Sequence, residues 1–374
     1  MVLLRYLDTK NLRLVVLLLV LIITSGCVRE NVSMAHLALS SKDSKLDCKT
    51  MEEYLYFPEI AGIMASGEDG KLIGFLWDKN NQTNQQVSSA LFRIDPTHKT
   101  ATKIIDPQSG FEIISFAEND KYCVWVERNE LKWRIYKKDK AANDKMIIDQ
   151  GQYFKMGGTD YPSLSLYGDI LVYDRELEIQ PQNKTSQIIK IELDNHKKTV
   201  IQEIRGVNQY LGHPSVFLNN VVWHRGEWTS EMNGEIYLYD LTKDSIQQLT
   251  TDDPSICPVL WNGYVVWTTY EKDTPECKNI MIYELKSGNL SPITEAVPSD
   301  FVEYWGATVS DGFVTWNNNF LNSKLEVYDI TAKKKYCPHS IIAQERRIFG
   351  NWLCWKNRSE GSGVYIMSLS HIRE

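Results

Sequence analysis

Residues Asn219 to Trp267 read NNVVWHRGEWTSEMNGEIYLYDLTKDSIQQLTTDDPSICPVLWNGYVVW, and they hold one complete unit of a repeating chain. An apolar run ends on Trp223, and a polar stretch follows it. Next come the alternating pattern of 235–241, a Lys-Asp-Ser turn, a short strand at 246–250, a proline-marked loop and another apolar run ending on Trp267. Alternation with period two marks half-buried strands, and a short apolar run marks a fully buried one. No window here keeps the 3.6-residue period of a helix. The unit predicts four strands that close on the motif that opened them.

The apolar run ending on an aromatic residue recurs along the chain. Its copies end on Trp77, Trp125, Tyr173, Trp223, Trp267, Trp316 and Trp355, at spacings of 48, 48, 50, 44, 49 and 39 residues. A second strand follows each anchor, in ALFRID, WRIYKK, IIKIEL, IYLYDL, IMIYEL, LEVYDI and VYIMSL. Such periods fit four short strands with their turns, which is the size of a propeller blade. The expected fold is therefore all-β, a seven-bladed β-propeller of four-stranded antiparallel blades over residues 51–374. The seventh copy ends after its third strand, while EYLYF at 53–57 is a spare strand ahead of the first copy. Pairing the two completes the last blade and removes an exposed edge. That closure places Tyr54 and Tyr56 beside Tyr365 and Met367.

The composition bounds the partners. The chain has 374 residues, 43% of them hydrophobic, with a formal charge of −7. It carries no basic stripe interleaved with aromatics, which argues against nucleic acid. No GxSxG, HExxH, P-loop or GxGxxG motif is present, so no cofactor is implied.

The first residues are an address. Arg5, Lys10 and Arg13 precede the apolar run Leu14 to Ile23, and Thr24-Ser25-Gly26-Cys27 follow it. About ten apolar residues suit a secretory signal, whereas a spanning helix needs roughly 20. The Ser-Gly-Cys ending resembles the lipobox of bacterial lipoproteins. That resemblance implies a signal peptide at 1–26, a lipidated (palmitate-bearing) Cys27 as the first mature residue and an extracytoplasmic location on the cell membrane. The polar stretch 27–50 is expected to be a flexible tether. In such a compartment disulfides persist, and of the six remaining cysteines Cys257 with Cys277 is the expected pair.

The blade signature is carried by Pro214, Asn219-Asn220, Val221 to Trp223 and Ile236 to Leu241, and again by Pro258, Asn262-Gly263, Val265 to Trp267 and Ile280 to Leu285. It resembles the TolB-type, WD40-like β-propeller family, most clearly in blades three to six. The connections between second and third strands span 18 residues from Tyr173 to Ile191 and 16 from Trp223 to Tyr239, so they predict long loops on one face. That face is the expected binding surface, with Tyr161, Arg175, Tyr210, His213, His224, Arg225, Trp228, Glu303 and Trp305 as candidate residues. Aromatic rings beside charged groups suit a sugar or a peptide. The expected role is non-catalytic binding of a protein partner or a cell-envelope polymer. The alternative is a carbohydrate-active enzyme at the channel mouth. Polysaccharide lyases that resemble this family use a divalent metal, which here would fall to His213, His224 and Asp253.

Overall fold

The computed structural model describes residues 54–67, 69–77, 90–142, 144–152, 161–180, 183–206, 208–227, 233–251, 253–271, 274–295, 304–318, 324–356 and 363–372. Within them the chain forms 28 strands in seven antiparallel sheets of four. After β1 (Leu55–Phe57), blade 1 holds β2 (Ile60–Ser66), β3 (Leu72–Leu76), β4 (Leu91–Asp95) and β5 (Thr100–Ile105). Blade 2 holds β6 (Glu112–Glu118), β7 (Tyr122–Arg128), β8 (Lys132–Asp139) and β9 (Lys145–Gln152). Blade 3 holds β10 (Leu164–Tyr167), β11 (Ile170–Gln180), β12 (Asn183–Glu192) and β13 (Lys197–Arg205). Blade 4 holds β14 (Gln209–Phe217), β15 (Asn220–Glu227), β16 (Asn233–Asp240) and β17 (Ser245–Gln248). Blade 5 holds β18 (Ser255–Trp261), β19 (Tyr264–Glu271), β20 (Thr274–Glu284) and β21 (Leu290–Pro292). Blade 6 holds β22 (Tyr304–Ser310), β23 (Phe313–Asn318), β24 (Lys324–Asp329) and β25 (Lys334–Ile342). Blade 7 holds β26 (Gln344–Phe349), β27 (Trp352–Lys356) and β28 (Val364–Ser368), with β1 as its outermost strand.

The core lies between blades rather than within them. Successive side chains of a strand face opposite sides of the sheet, so the second strand of each blade serves two seams. In β15, Trp223 faces back onto Val172 and Ile188 of blade 3, while Val222 faces forward onto Leu260 and Trp267 of blade 5. Trp125, Trp267, Trp316 and Trp355 repeat the backward contact and are at most 2% exposed. Removing one such ring costs about 3–5 kcal/mol. In three blades the ring also stacks on the tyrosine opposite it in the third strand, as Trp125 does on Tyr136, Trp223 on Tyr237 and Trp355 on Tyr365.

The ring closes where the sequence places the closure. Tyr56 pairs with Tyr365 and Leu55 with Ile366 along β1 and β28, and the Tyr54 ring lies 5.6 Å from Tyr365. Ile366 and Val364 then pack on Ile60 and Leu72 of blade 1, so the last seam is apolar like the others. The aspartate of the Ile-Tyr-x-x-Asp-Leu strand has a local reason. Asp240 Oδ1 accepts the N–H groups of Thr242 and Lys243, and Asp329 Oδ1 those of Thr331 and Ala332, which folds the chain into the next strand.

Two expectations are corrected. The interval from Tyr173 to Ile191 is a hairpin, not a loop: β11 and β12 pair from Ile170 to Gln180. The same holds in blade 5, where β19 and β20 pair from Tyr264 to Glu271. Nor is the Cys257–Cys277 bridge formed, since Cys257 is a free thiol. It lies in β18 and Cys277 in β20, with β19 between them. Strands two apart in a sheet are about 9.5 Å apart, beyond the roughly 7 Å that a disulfide spans between Cα atoms.

Candidate functional site

Because the anchor faces back, the residue after it faces forward to the next blade. That residue is Asp174 in blade 3, His224 in blade 4, Thr268 in blade 5 and Asn317 in blade 6, and all four are polar. Each meets an innermost strand that bulges. The register of β14 shifts between Gly212 and Ser215, of β18 between Ile256 and Val259, of β22 between Trp305 and Thr308 and of β26 between Gln344 and Arg347. A residue with positive φ sits in each bulge: His213 at 51°, Cys257 at 53°, Gly306 at 61° and Glu345 at 49°. A bulge leaves a ladder N–H without its partner, and at three of these four seams the forward-facing side chain supplies the acceptor. Asp174 Oδ2 accepts the His213 N–H at 3.2 Å, His224 Nδ1 the Cys257 N–H at 3.4 Å and Asn317 Oδ1 the Arg346 N–H at 2.9 Å. Asp174 also accepts the Ser163 N–H at 2.6 Å.

Burial tunes these groups. Asp174 is 1% exposed, and desolvation raises its pKa from 3.8 to about 7. His224 is 2% exposed, and desolvation, followed by the neighbouring His213, holds its pKa well below 6.5. His213 keeps a water-facing side on the innermost strand although protein surrounds it. The surrounding protein lowers its pKa as well. The His213 and His224 rings stack at 5.3 Å, 18° from parallel, and the Tyr210 ring meets His224 edge-on at 5.1 Å. Tyr210 is buried because Gly226 opposite has no side chain; a Cβ there would lie 2.5 Å from the ring. Burial pushes its hydroxyl up to about 12.

Other candidates are also held inside the ring. Arg175 donates to Gln187 Oε1 at 2.7 Å within its blade and to Asp149 Oδ2 of blade 2 at 3.3 Å. Asp149 also pairs with Lys198 at 2.7 Å and accepts the Tyr173 hydroxyl, so Arg175 ties blade 3 to blade 2. Arg225 reaches Gln209 Oε1 at 3.4 Å. Tyr161 differs. Its ring is exposed, and the Arg128 guanidinium lies 4.8 Å from its centroid. Close by in the chain, Leu131 is 75% exposed at the tip of the β7–β8 hairpin. Arg134 lies 4.8 Å from the Phe111 centroid, and Lys132 lies 5.8 Å from it. Sequence reasoning missed Asp174, Arg128, Leu131 and Phe111. The run of polar residues directly after the anchors was the signal for Asp174.

Trp228 and Glu303 lie outside the described residues, as do Cys27 and the side chain of Trp305. The proposed metal set does not assemble. His224 Nδ1 is turned to a backbone N–H, the two imidazoles lie face to face, and Asp253 is an exposed turn residue whose carbonyl accepts the Ser255 hydroxyl. Among the described residues no three His, Cys, Asp or Glu side chains are placed to hold a metal ion.

No protein-family model matches the chain, and no curated protein matches its sequence. Among solved structures, an oligogalacturonate lyase from Vibrio parahaemolyticus is similar at a TM-score of 0.55 and 14% identity, over 85% of this chain and 92% of that one. The likeness is one of fold. An oligogalacturonate lyase in complex with manganese gives a TM-score of 0.57 at 11% identity, over 87% and 98%. A TolB protein from Acinetobacter baumannii gives 0.46 at 13% identity, over 70% and 62%.

Proposed function

We propose that this chain is an exported, lipid-anchored propeller that binds a protein partner or a cell-envelope polymer on the face where the second-to-third-strand hairpins end. The observation that carries the reading is the pairing of an exposed Tyr161 ring with Arg128, close in the chain to the exposed Leu131. An aromatic ring under a guanidinium beside an apolar tip is the chemistry of a recognition surface. Arg175, Asp174 and His224 are occupied in holding blades together. The anchor rests on the Ser25-Gly26-Cys27 ending. Labelling cells with a palmitate analogue tests it: the wild type carries the label and fractionates with membranes, and Cys27→Ala does neither. For the surface, envelope fractions are passed over immobilised protein. Tyr161→Ala with Leu131→Ser is expected to lose what the wild type retains, and equal retention would refute the reading.

The fold likeness to a manganese-bound lyase supports a second reading, a metal-assisted carbohydrate enzyme. The stacked, hydrogen-bonded histidine pair does not suit the ligand role it would have to fill. Metal analysis of the purified chain and of His213→Ala separates the two. A stoichiometric metal lost in the variant would establish the second reading over the first.

A further inference from the structure

The seam between blades 1 and 2 contains a cleft of about 640 Å³, bounded by the β2–β3 turn with Asp69 and the β6–β7 turn with Asp120. Its charge opposes that of the chain. Arg93, Lys103, Lys138 and Lys140 line it against two carboxylates, in a protein of formal charge −7. Ile104 and Ile105 add an apolar wall.

Two of the cations are fixed from behind by a buried carboxylate. The Glu118 side chain is 0% exposed, accepts Arg93 Nη2 at 2.8 Å and pairs with Lys140 Nζ at 3.1 Å. Asp69 takes Arg93 Nη1 at 3.2 Å. Gly67 permits this close approach, since a Cβ there would lie 2.3 Å from Glu118 Oε1 and 2.9 Å from Arg93 Nη1. The other two cations are less engaged. Among the described residues Lys103 pairs with the exposed Asp106 alone, and Lys138 has no ion-pair partner. Arg93 and Lys140 are therefore donors set in place before a ligand arrives, while Lys103 and Lys138 have charge to offer one.

We propose that this cleft binds a small molecule carrying two or more oxyanion groups, carboxylate or phosphate, on a carbon skeleton of up to about disaccharide size. The skeleton lies on the isoleucine wall and the oxyanions meet the lysines and the arginine. This site lies at the first-to-second-strand turns, away from Tyr161, and does not depend on the binding surface proposed above.

The full chain is titrated calorimetrically with citrate and with inorganic pyrophosphate, using sodium chloride at matched ionic strength as the blank. In parallel, lysines are acetylated with and without each probe and mapped by mass spectrometry. Saturable binding of at least one probe is expected, with Lys103 and Lys138 protected from acetylation. Lys138→Gln and Lys103→Gln are each expected to weaken binding by about tenfold. Citrate alone binding assigns carboxylates, and pyrophosphate alone assigns phosphates. No saturable binding of either probe, undiminished binding in the double variant, or protection confined to other lysines would each overturn the proposal.

Discussion

The His224 imidazole of blade 4 accepts the backbone N–H of Cys257 in blade 5 at 3.4 Å. A side chain beside one aromatic anchor thus supports the bent inner strand of the neighbouring blade. Asp174 does this one seam earlier, and Asn317 does it between blades 6 and 7.

His224→Ala leaves the Cys257 N–H without that acceptor and leaves a void in a buried seam. A loss of about 2–4 kcal/mol is expected. His224→Asn keeps an acceptor at the site and should lose less. Urea midpoints for the two variants test this, and equal losses would mean that the ring acts by volume alone.

Stability should respond to pH through Asp174 on one side and His213 and His224 on the other. Asp174 has its pKa raised from 3.8 to about 7 by burial, so between those values the folded chain keeps a proton that the unfolded chain has released, and stability falls as pH rises. His224 is held well below 6.5, so the unfolded chain takes up the proton first and stability is lost as pH falls below 6.5. Asp174→Asn should therefore leave stability rising with pH up to about 6.5, and replacing both His213 and His224 with Asn should leave it falling from about pH 4 to about 7. Urea midpoints across that range give both slopes.

Cys123 and Cys354 are buried free thiols, and Cys257 is half-buried and free. Desolvation raises Cys123 and Cys257 to about 11 and Cys354 above the usual thiol range. Little thiolate is present at these three at neutral pH, so iodoacetamide should label them slowly in the native protein and rapidly in denaturant. A Cys257 that stays unlabelled in denaturant until a reductant is added would show that it is bridged.

Tyr54 and Tyr56 both pack against the Tyr365 ring at the closing strand. Replacing each with alanine should cost about 0.5–1.5 kcal/mol beyond the lost area. Leu55→Pro is expected to do more, because it disturbs the pairing of a three-residue strand with β28. Thermal midpoints for the three variants rank the contributions.

The blade count and the closure were legible because Trp223 and its equivalents must be large, apolar and regularly spaced to fill a seam. Composition misled where strands leave the core. Beyond Asp174 the β11–β12 hairpin is held by polar cross-strand partners such as Glu176 with Lys184, so its residues have the composition of a loop. Which of the candidate residues are taken up inside the fold was not legible. Arg175 and His224 have the chemistry of binding groups, and only the inter-blade distances show that other blades already occupy them. Tyr161 lies in a connection, where an aromatic ring has no seam to fill, and it stays exposed.

The pairing of Leu55 with Ile366 joins the first described strand to the last. During synthesis every other sheet can form soon after its own strands emerge, but this one waits for β28. Until then the circle is open at one side, with the apolar faces of Ile60 and Leu72 uncovered. Any chaperone that escorts the nascent chain has most to protect at its leading end, for the whole time that the remaining blades are being made.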